Sequence, residues 1–264
     1  MIKVAISRNE RHIMPTSHFH EYYELYFLIS GDVTHFVEEN TYRVVDDEVV
    51  IVAPKVIHRT TAIHSDTRTR AILCFSANEL EVIENEEPGT TAFLQNVIIS
   101  CSKKRFEQIA ETLNKMLFEQ ENENSRVLLR AYLYELLINL KRQAKTGISP
   151  MRSNEGVDIR IQNVIKYINE NYSEALTLES LAKRFFVSSA YLSRRFKKTT
   201  GFSYIEYLVN LRVKKAAEFL ETTNRSITEI AVSTGFGSSN HFCKTFKKIM
   251  GQSPAGYRAL HKNT

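Results

Sequence analysis

The stretch FKKTTGFS at residues 196–203 is nearly repeated as FKKIMGQS at residues 246–253, and this repeat decides the fold of the C-terminal part of the chain. The two copies share the Phe, both lysines, the Gly and the Ser. A basic phrase that ends in Gly and occurs twice indicates that one supersecondary unit has been built twice. The residues around the two copies should therefore share one local structure.

The residues before each copy have the pattern of a helix-turn-helix unit. In the first unit Ala182 lies on a short predicted helix before a turn through residues 186–188, and in the second unit Ala231 precedes a turn through residues 234–237. Ala is small enough for two helices to cross closely, and Gly235 suits a turn that needs a positive φ. A short helix, a tight turn and a second helix are together typical of DNA-binding units.

Polar caps predict seven short helices in residues 158–264. Ser, Thr and Asp side chains accept hydrogen bonds from the free N–H groups at a helix start, and Gly favours a helix end. The expected caps are Asp158, Thr177, Ser188, Ser203, Ser226, Ser238 and Ser253, with Gly201 and Gly251 at helix ends. The helix between the units, residues 204–220, would span about 25 Å. It could therefore hold two recognition helices near the ~34 Å repeat of the major groove on one DNA face.

The second helix of each unit has an apolar face for the core and a small, cationic face for a partner. Leu192 and Phe196 share one side of the first helix, and Phe242 and Phe246 share one side of the second. Small side chains let a helix enter the major groove, where Arg and Lys reach guanine and Asn reaches adenine. Lysines near the helix ends suit phosphate groups. The predicted DNA-binding residues are Ser189, Ala190, Ser193, Arg194, Lys197 and Lys198 in the first unit and Ser239, Asn240, Cys243, Lys244, Lys247 and Lys248 in the second.

The N-terminal part changes from a strand pattern to a helical pattern. Residues 18–80 contain short runs rich in Val, Ile, Tyr and Phe, broken by turn signals at Gly31-Asp32 and Asp46-Asp47. Strands at this spacing are typical of a small barrel or sandwich. Residues 103–145 predict an antiparallel helical hairpin whose second helix is apolar almost all round. We expect this hairpin to form a homodimer; the alternative is that both helices only cover their own barrel.

A linker separates two parts of opposite charge. Residues 146–157 are rich in Gly, Ser and Pro and poor in apolar residues. Residues 1–150 carry 17 Lys+Arg and 21 Asp+Glu, a net −4, whereas residues 151–264 carry 18 and 9, a net +9. A basic C-terminal part suggests a polyanionic partner. We expect two domains: an all-β barrel with a helical hairpin over residues 1–145, and an all-α domain with two helix-turn-helix units over residues 158–264.

The cysteines and the hydropathy of the chain favour a cytoplasmic protein that does not enter the membrane. Cys74, Cys101 and Cys243 are scattered and lack the spacing of a disulfide framework or a metal motif. The first residues, MIKVAISRNE, hold too short an apolar run for a signal peptide, and no run approaches 18 apolar residues.

Residues 158–260 resemble the DNA-binding domain of the AraC/XylS family of transcription regulators. The resemblance lies in LTLESLAKRFFVSSAYLSRRFKKTTGFS and ITEIAVSTGFGSSNHFCKTFKKIMGQSPAGYR. It implies that the two units contact adjacent major grooves of double-stranded DNA. Residues 15–80 resemble the cupin-like sensor domain that many members carry. This implies a small-molecule effector in the barrel, dimerisation through the helices, and activation of nearby promoters with RNA polymerase as a partner.

The stretch HFHEYYE at residues 18–24 is a candidate binding site. His18, His20 and Glu24 share parity and should lie on one side of a strand. They match the start of the first cupin motif, and His58 could supply a fourth group.

Three interpretations of this stretch remain open. A wall of imidazole, carboxylate and phenol groups would suit a polyhydroxylated ligand such as a sugar. Imidazoles with a carboxylate would suit Zn, Mn or Fe. The same groups could also be structural residues with satisfied hydrogen bonds. The pocket would be lined by His18, His20, Tyr22, Glu24, Tyr26 and His58, and the metal alternative would use His18, His20, Glu24 and His58.

Two functions compete at this point. The first is a dimeric, ligand-responsive transcription regulator without a cofactor, and the paired helix-turn-helix units favour it. The second is a cupin metalloenzyme fused to a DNA-targeting domain, which depends on the His and Glu set alone. The sequence shows no Gly-rich phosphate loop and no Ser/His/Asp set, so the regulator is the stronger hypothesis.

Overall fold

The computed structural model describes residues 1–10, 19–64, 67–95, 97–147 and 158–262. These residues form two compact units, one with the strands and the first three helices and the other with the remaining helices. His18 and residues 148–157 of the predicted linker lie outside the described residues, so the exact domain boundaries stay predictions.

The N-terminal unit is built from strands followed by a pair of long helices. Its strands are β1 (Ile2–Glu10), β2 (Tyr23–Ser30), β3 (Asp32–Val37), β4 (Asn40–Val45), β5 (Glu48–Val52), β6 (His58–Ile63), β7 (Arg68–Phe75) and β8 (Val97–Ser100). A 3-10 turn and helix α1 (Glu81–Glu86) lie between β7 and β8. Helices α2 (Lys103–Glu121) and α3 (Arg126–Gly147) follow β8. The predicted class, a β-rich domain with a helical hairpin, is confirmed.

The strands form two antiparallel sheets, of five strands in the order β1-β7-β2-β5-β8 and of three in the order β4-β3-β6. Alternation along β2 gives its two faces different partners. Tyr26 and Leu28 belong to an apolar cluster that both sheets share. Leu25 and Phe27 belong to the cluster between the larger sheet and helices α2 and α3. The interior of the barrel therefore lies on the even-numbered side of β2, which also carries Glu24.

Two details of the strand prediction were wrong. The strand predicted from residue 18 begins at Tyr23, which is where its pairing with β7 ends, opposite Phe75. His20 thus precedes the strand instead of alternating along it. Strands β1, β6 and β8 were not predicted, because each is an outer strand whose place comes from pairing with a distant segment.

The hairpin of α2 and α3 covers the outer face of the five-stranded sheet. Phe106 and Met116 of α2 and Leu133, Leu137 and Leu140 of α3 are buried in one cluster with that sheet. Burial of each such side chain contributes roughly 1.5–3 kcal/mol. Covering the barrel is therefore one role of these helices, as the alternative interpretation of the sequence required.

The C-terminal unit consists of helices that begin at the predicted caps. They are α4 (Ile159–Glu170), α5 (Leu178–Arg184), α6 (Ser189–Thr200), α7 (Tyr204–Thr222), α8 (Ile227–Ser233), α9 (Ser239–Met250) and α10 (Pro254–His261). Each is preceded by a Ser, Thr or Asp whose side chain accepts a hydrogen bond from the first turn. Gly201 and Gly251 end α6 and α9 with φ of 77° and 75°. The prediction of an all-α domain with two helix-turn-helix units is confirmed.

Within the C-terminal unit, helix α7 joins the two helix-turn-helix units and packs against α6, α8, α9 and α10. The Tyr207 ring makes edge contacts with Phe196 and Phe202 of the first unit. Arg212 donates from Nε to the Tyr172 carbonyl and from Nη2 to the Glu174 carbonyl, both at 2.7 Å. The connecting helix is thereby fastened to the loop between α4 and α5 as well as to both recognition helices.

We predict that Gly235→Ala destabilises the C-terminal unit more than Gly251→Ala. Both glycines have a left-handed φ, of 82° and 75°, which costs an Ala about 1–2 kcal/mol. At Gly235 an added Cβ would also lie 2.7 Å from the Ser173 carbonyl oxygen, whereas at Gly251 it meets nothing within 4 Å. Overlap in a packed site adds about 1–3 kcal/mol. Urea unfolding followed by far-UV circular dichroism measures both variants, and equal losses would contradict this account of the second turn.

Candidate functional site

Helices α6 and α9 present the predicted DNA-binding residues to solvent. Of the twelve, Ala190, Ser193, Arg194, Lys197, Lys198, Asn240, Lys244, Lys247 and Lys248 are exposed, and Ser189, Ser239 and Cys243 are partly buried. Neither helix contains an Asp or Glu. Each helix therefore offers a cationic face of small side chains, as a helix that enters the major groove requires.

The recognition helix α6 is held in place from its buried side. Leu192 and Phe196 are fully buried. Asp158, the cap of α4, also accepts a hydrogen bond from the Tyr191 hydroxyl and one from Arg195 Nε at 3.2 Å. The hydrogen bond from Tyr191, followed by those from the Arg160 N–H and Arg195, lowers the pKa of Asp158. Arg195 is thus engaged within the protein, which leaves Arg194 as the outward-facing arginine of the pair.

The recognition helix α9 is held by a chain of aromatic contacts. The rings of Phe236, Phe242, Phe246 and Tyr257 follow one another at centroid distances of 5.1, 5.6 and 5.5 Å. The Tyr257 hydroxyl donates to Glu221 of α7.

His241, next to Asn240, is exposed at the start of α9. His241 was not among the predicted DNA-binding residues, although its position in the first turn of the helix was a usable signal.

Inside the barrel, three polar side chains converge on one point. His20 Nε2 lies 3.3 Å from Glu24 Oε2, and His58 Nε2 lies 3.6 Å from Glu24 Oε1. One ligand atom from each residue lies within 4.8 Å of the others, and all three residues are buried. The structure thus brings together three of the four residues of the predicted metal alternative, with His18 outside the described residues.

Hydrogen bonds to the backbone orient both imidazoles. His20 Nδ1 lies 2.8 Å from the Tyr22 carbonyl oxygen, and His58 Nδ1 lies 2.9 Å from the Val56 carbonyl oxygen. Each Nδ1 must donate to its carbonyl, so Nε2 is the nitrogen that faces Glu24. The Tyr22 ring stacks on His20 with centroids 3.8 Å apart.

Burial and charge compete in the pKa values of this cluster. Burial alone would raise the pKa of Glu24, but the nearby His58 and His20 hold it well below its usual value. Burial alone would lower the pKa of His58, but the Glu24 carboxylate raises it above the usual range. The cluster therefore favours an ionised carboxylate between imidazoles.

The barrel wall next to this cluster contains buried groups that were not predicted from the sequence. His35 is buried beside Tyr26 and His58, and burial lowers its pKa to about 3. Arg68 Nη1 lies 3.4 Å from the Tyr26 hydroxyl, and the Arg70 guanidinium lies over the Tyr26 ring. The alternation of side chains along β3 and β7 was the available signal for these residues. It could not show which face of each strand points into the barrel.

Within the described part of the chain, no helix combines the length and the apolar character that crossing a membrane requires.

We predict that Asp158→Ala costs about 1–2 kcal/mol of unfolding free energy, because α4 loses its cap and α6 loses two contacts. Asp158→Asn, which keeps the capping group, should cost less. Since the folded-state pKa of Asp158 lies below its ordinary value, its contribution is present above about pH 4 and is lost as the pH falls further. Unfolding in urea at pH 7 and pH 3.5 tests this. A wild-type protein and an Asp158→Ala variant of equal stability at pH 7 would contradict it.

Comparison with known proteins assigns both units. Residues 3–137, half of the 264-residue chain, match the family model described as an AraC-like ligand binding domain, and residues 181–260 match a helix-turn-helix domain. The HTH-type transcriptional regulator YdiP of Escherichia coli is 26% identical over 91% of this chain and 79% of its own length. The melibiose operon regulatory protein of E. coli is 24% identical over 98% of this chain and 88% of its own length. The HTH-type transcriptional activator RhaS of Escherichia fergusonii is 35% identical over 51% of this chain and 47% of its own.

Proposed function

This chain belongs to the AraC family of transcription regulators, and from that premise we propose that it activates transcription when a small molecule occupies its N-terminal unit. The observation that carries the proposal is the pair of capped helix-turn-helix units with exposed cationic faces. The family consists of transcription regulators, so the chain is not an enzyme, and the metalloenzyme hypothesis is set aside.

The DNA contacts divide by their place on each recognition helix. Residues of the first two turns, such as Ala190, Arg194, Asn240 and Lys244, face outward where a helix meets base edges. Ser189, Ser193, Ser239 and Cys243 lie beside them and allow close approach. Lys197, Lys198, Lys247 and Lys248 lie in the last turns and suit phosphate groups. The small side chains on α6 suggest that α9 reads more of the base sequence.

We propose a small-molecule effector, and a sugar as its class. Two observations support this class. One relative is named for the melibiose operon. The barrel also contains polar groups, which include His20, Tyr22, Glu24, Tyr26 and His58. The activator RhaS supports activation over repression. Activation would require contact with RNA polymerase, and these steps would take place in the cytoplasm.

We propose that the α2–α3 hairpin also forms a homodimer. Phe118 at the end of α2 is 65% exposed, and Val127 at the start of α3 is 77% exposed, although both are large and apolar. Leu128 beside them is also exposed. Large exposed apolar residues that occur close together near one end of a hairpin favour a protein contact surface there.

The DNA proposal predicts different effects for two kinds of substitution. Asn240→Ala should weaken binding to a duplex selected from random sequence by about 1–3 kcal/mol and relax the base preference at one position. Lys248→Ala should weaken binding to all duplexes alike and reduce the salt dependence by about one phosphate contact. Fluorescence anisotropy titrations at several salt concentrations measure both effects.

The matched control is Lys104→Ala, which removes an exposed lysine from α2. It should leave the salt dependence unchanged. Wild-type protein that binds no duplex, or binds with no salt dependence, would refute the proposed function. An equal effect of Lys104→Ala and Lys248→Ala would place the DNA elsewhere.

The dimer proposal predicts that the Phe118→Asp/Val127→Asp double variant is a monomer at concentrations where the wild type is a dimer, because charges would be placed in the contact. We expect the dissociation constant to rise at least about tenfold, or 1.4 kcal/mol. Val82→Asp, at an apolar residue of α1 that is 53% exposed, is the control and should stay dimeric. Light scattering after size-exclusion chromatography gives the masses. A monomeric wild type would contradict the proposal.

A further inference from the structure

The spacing of the donor atoms in the barrel cluster is wide enough to hold a shared metal ion. Hydrogen bonds between a charged imidazole and a carboxylate are about 2.7–2.9 Å long. His20 Nε2 lies 3.3 Å from Glu24 Oε2, and His58 Nε2 lies 3.6 Å from Oε1, the other oxygen of the same carboxylate. The three ligand atoms all lie within 4.8 Å of one another. Zn²⁺ bound at about 2.1 Å in a tetrahedral arrangement would place neighbouring donor atoms about 3.4 Å apart.

The orientation of the imidazoles is that of metal ligands. A histidine that binds a metal through one nitrogen usually donates its other N–H to a backbone carbonyl or a carboxylate, which fixes the ring. Both His20 and His58 make this hydrogen bond through Nδ1. Two independent backbone carbonyls therefore aim two Nε2 atoms at the same carboxylate.

The three residues come from separate parts of the barrel. Glu24 lies on β2 of the five-stranded sheet, His58 is the first residue of β6 of the three-stranded sheet, and His20 precedes β2. An ion held by all three would join the two sheets. Metal binding would then add directly to the stability of the folded unit, because the unfolded chain does not hold these groups together.

We propose that His20 Nε2, the Glu24 carboxylate and His58 Nε2 bind one divalent transition-metal ion, of which Zn²⁺ is the best match. Two imidazoles and one carboxylate are borderline ligands that favour Zn²⁺ and its neighbours over Mg²⁺ and Ca²⁺. Three protein ligands leave at least one coordination position for water or for an oxygen atom of the effector. The site requires no DNA contact, so it stands or falls independently of the proposed function.

The first test measures metal content and affinity on the full-length chain without a histidine tag. After treatment with EDTA, dialysis against Zn²⁺, Co²⁺ and Mg²⁺ followed by mass spectrometry of the metals gives the stoichiometry. We expect one Zn²⁺ or Co²⁺ per chain and no Mg²⁺. Bound Co²⁺ should show visible d–d absorption bands, which report ligand geometry. Zn²⁺ should also raise the melting temperature. Wild-type protein that binds no Zn²⁺ and no Co²⁺ would overturn the proposal.

The second test compares His58→Gln and Glu24→Gln with His64→Gln. His64 lies outside the cluster, where its Nε2 makes a hydrogen bond with Thr34 Oγ1. We expect the two cluster variants to lose at least about 100-fold in Zn²⁺ affinity and the control to keep its affinity. Equal binding by all three variants would place the metal elsewhere and refute the assignment. If the cluster variants do not fold, the stoichiometry and Co²⁺ spectrum of the wild type decide alone.

Discussion

The connecting helix α7 is the constraint on which the DNA-binding unit depends. DNA offers its major groove on one face only once per helical turn, so two recognition helices act together only if their separation is fixed. The helix has 19 residues and a length of about 28 Å, and its buried face includes Tyr207, Val213, Ala216 and Leu220. Packing against both units makes it a rigid spacer and not a tether.

Packing against distant residues also explains the difference between the turns of the two helix-turn-helix units. At corresponding points of the repeat, the first turn has Phe186 with φ 55° and the second has Gly235 with φ 82°. The Phe186 side chain is almost fully exposed. A side chain therefore fits at this position despite the left-handed φ, because it overlaps with no neighbouring residue. Gly235 has no such freedom, because Arg212 and the Ser173 carbonyl fill the space beside it. Two copies of one unit have thus diverged according to what packs against them.

Strand β2 separates the two roles of the N-terminal unit. Its odd-numbered residues, such as Leu25 and Phe27, pack beneath α2 and α3. Its even-numbered residues, Glu24 and Tyr26, face the polar groups of the barrel interior. A change in the barrel interior therefore acts on a strand that also supports the helices proposed for dimerisation. This would provide a short physical route from the proposed effector to the proposed contact between protomers.

The C-terminal fold could be predicted closely, because caps such as Ser188 and Ser253 act within one helical turn and are visible in the sequence. The barrel site could be predicted only in part. His20, Glu24 and His58 were identified by type and spacing, but the carbonyls that orient them belong to the folded backbone. His35 and Arg68 were missed, because pairing between distant strands decides which face of a strand is internal.

The central claim is that both helix-turn-helix units of one chain read the same face of DNA. Methylation interference on a selected duplex tests it most directly, since a methyl group on guanine N7 blocks a helix in the major groove. The account predicts two clusters of interfering guanines per chain, about 10 base pairs apart. A single cluster, or two clusters half a helical turn out of phase, would contradict it.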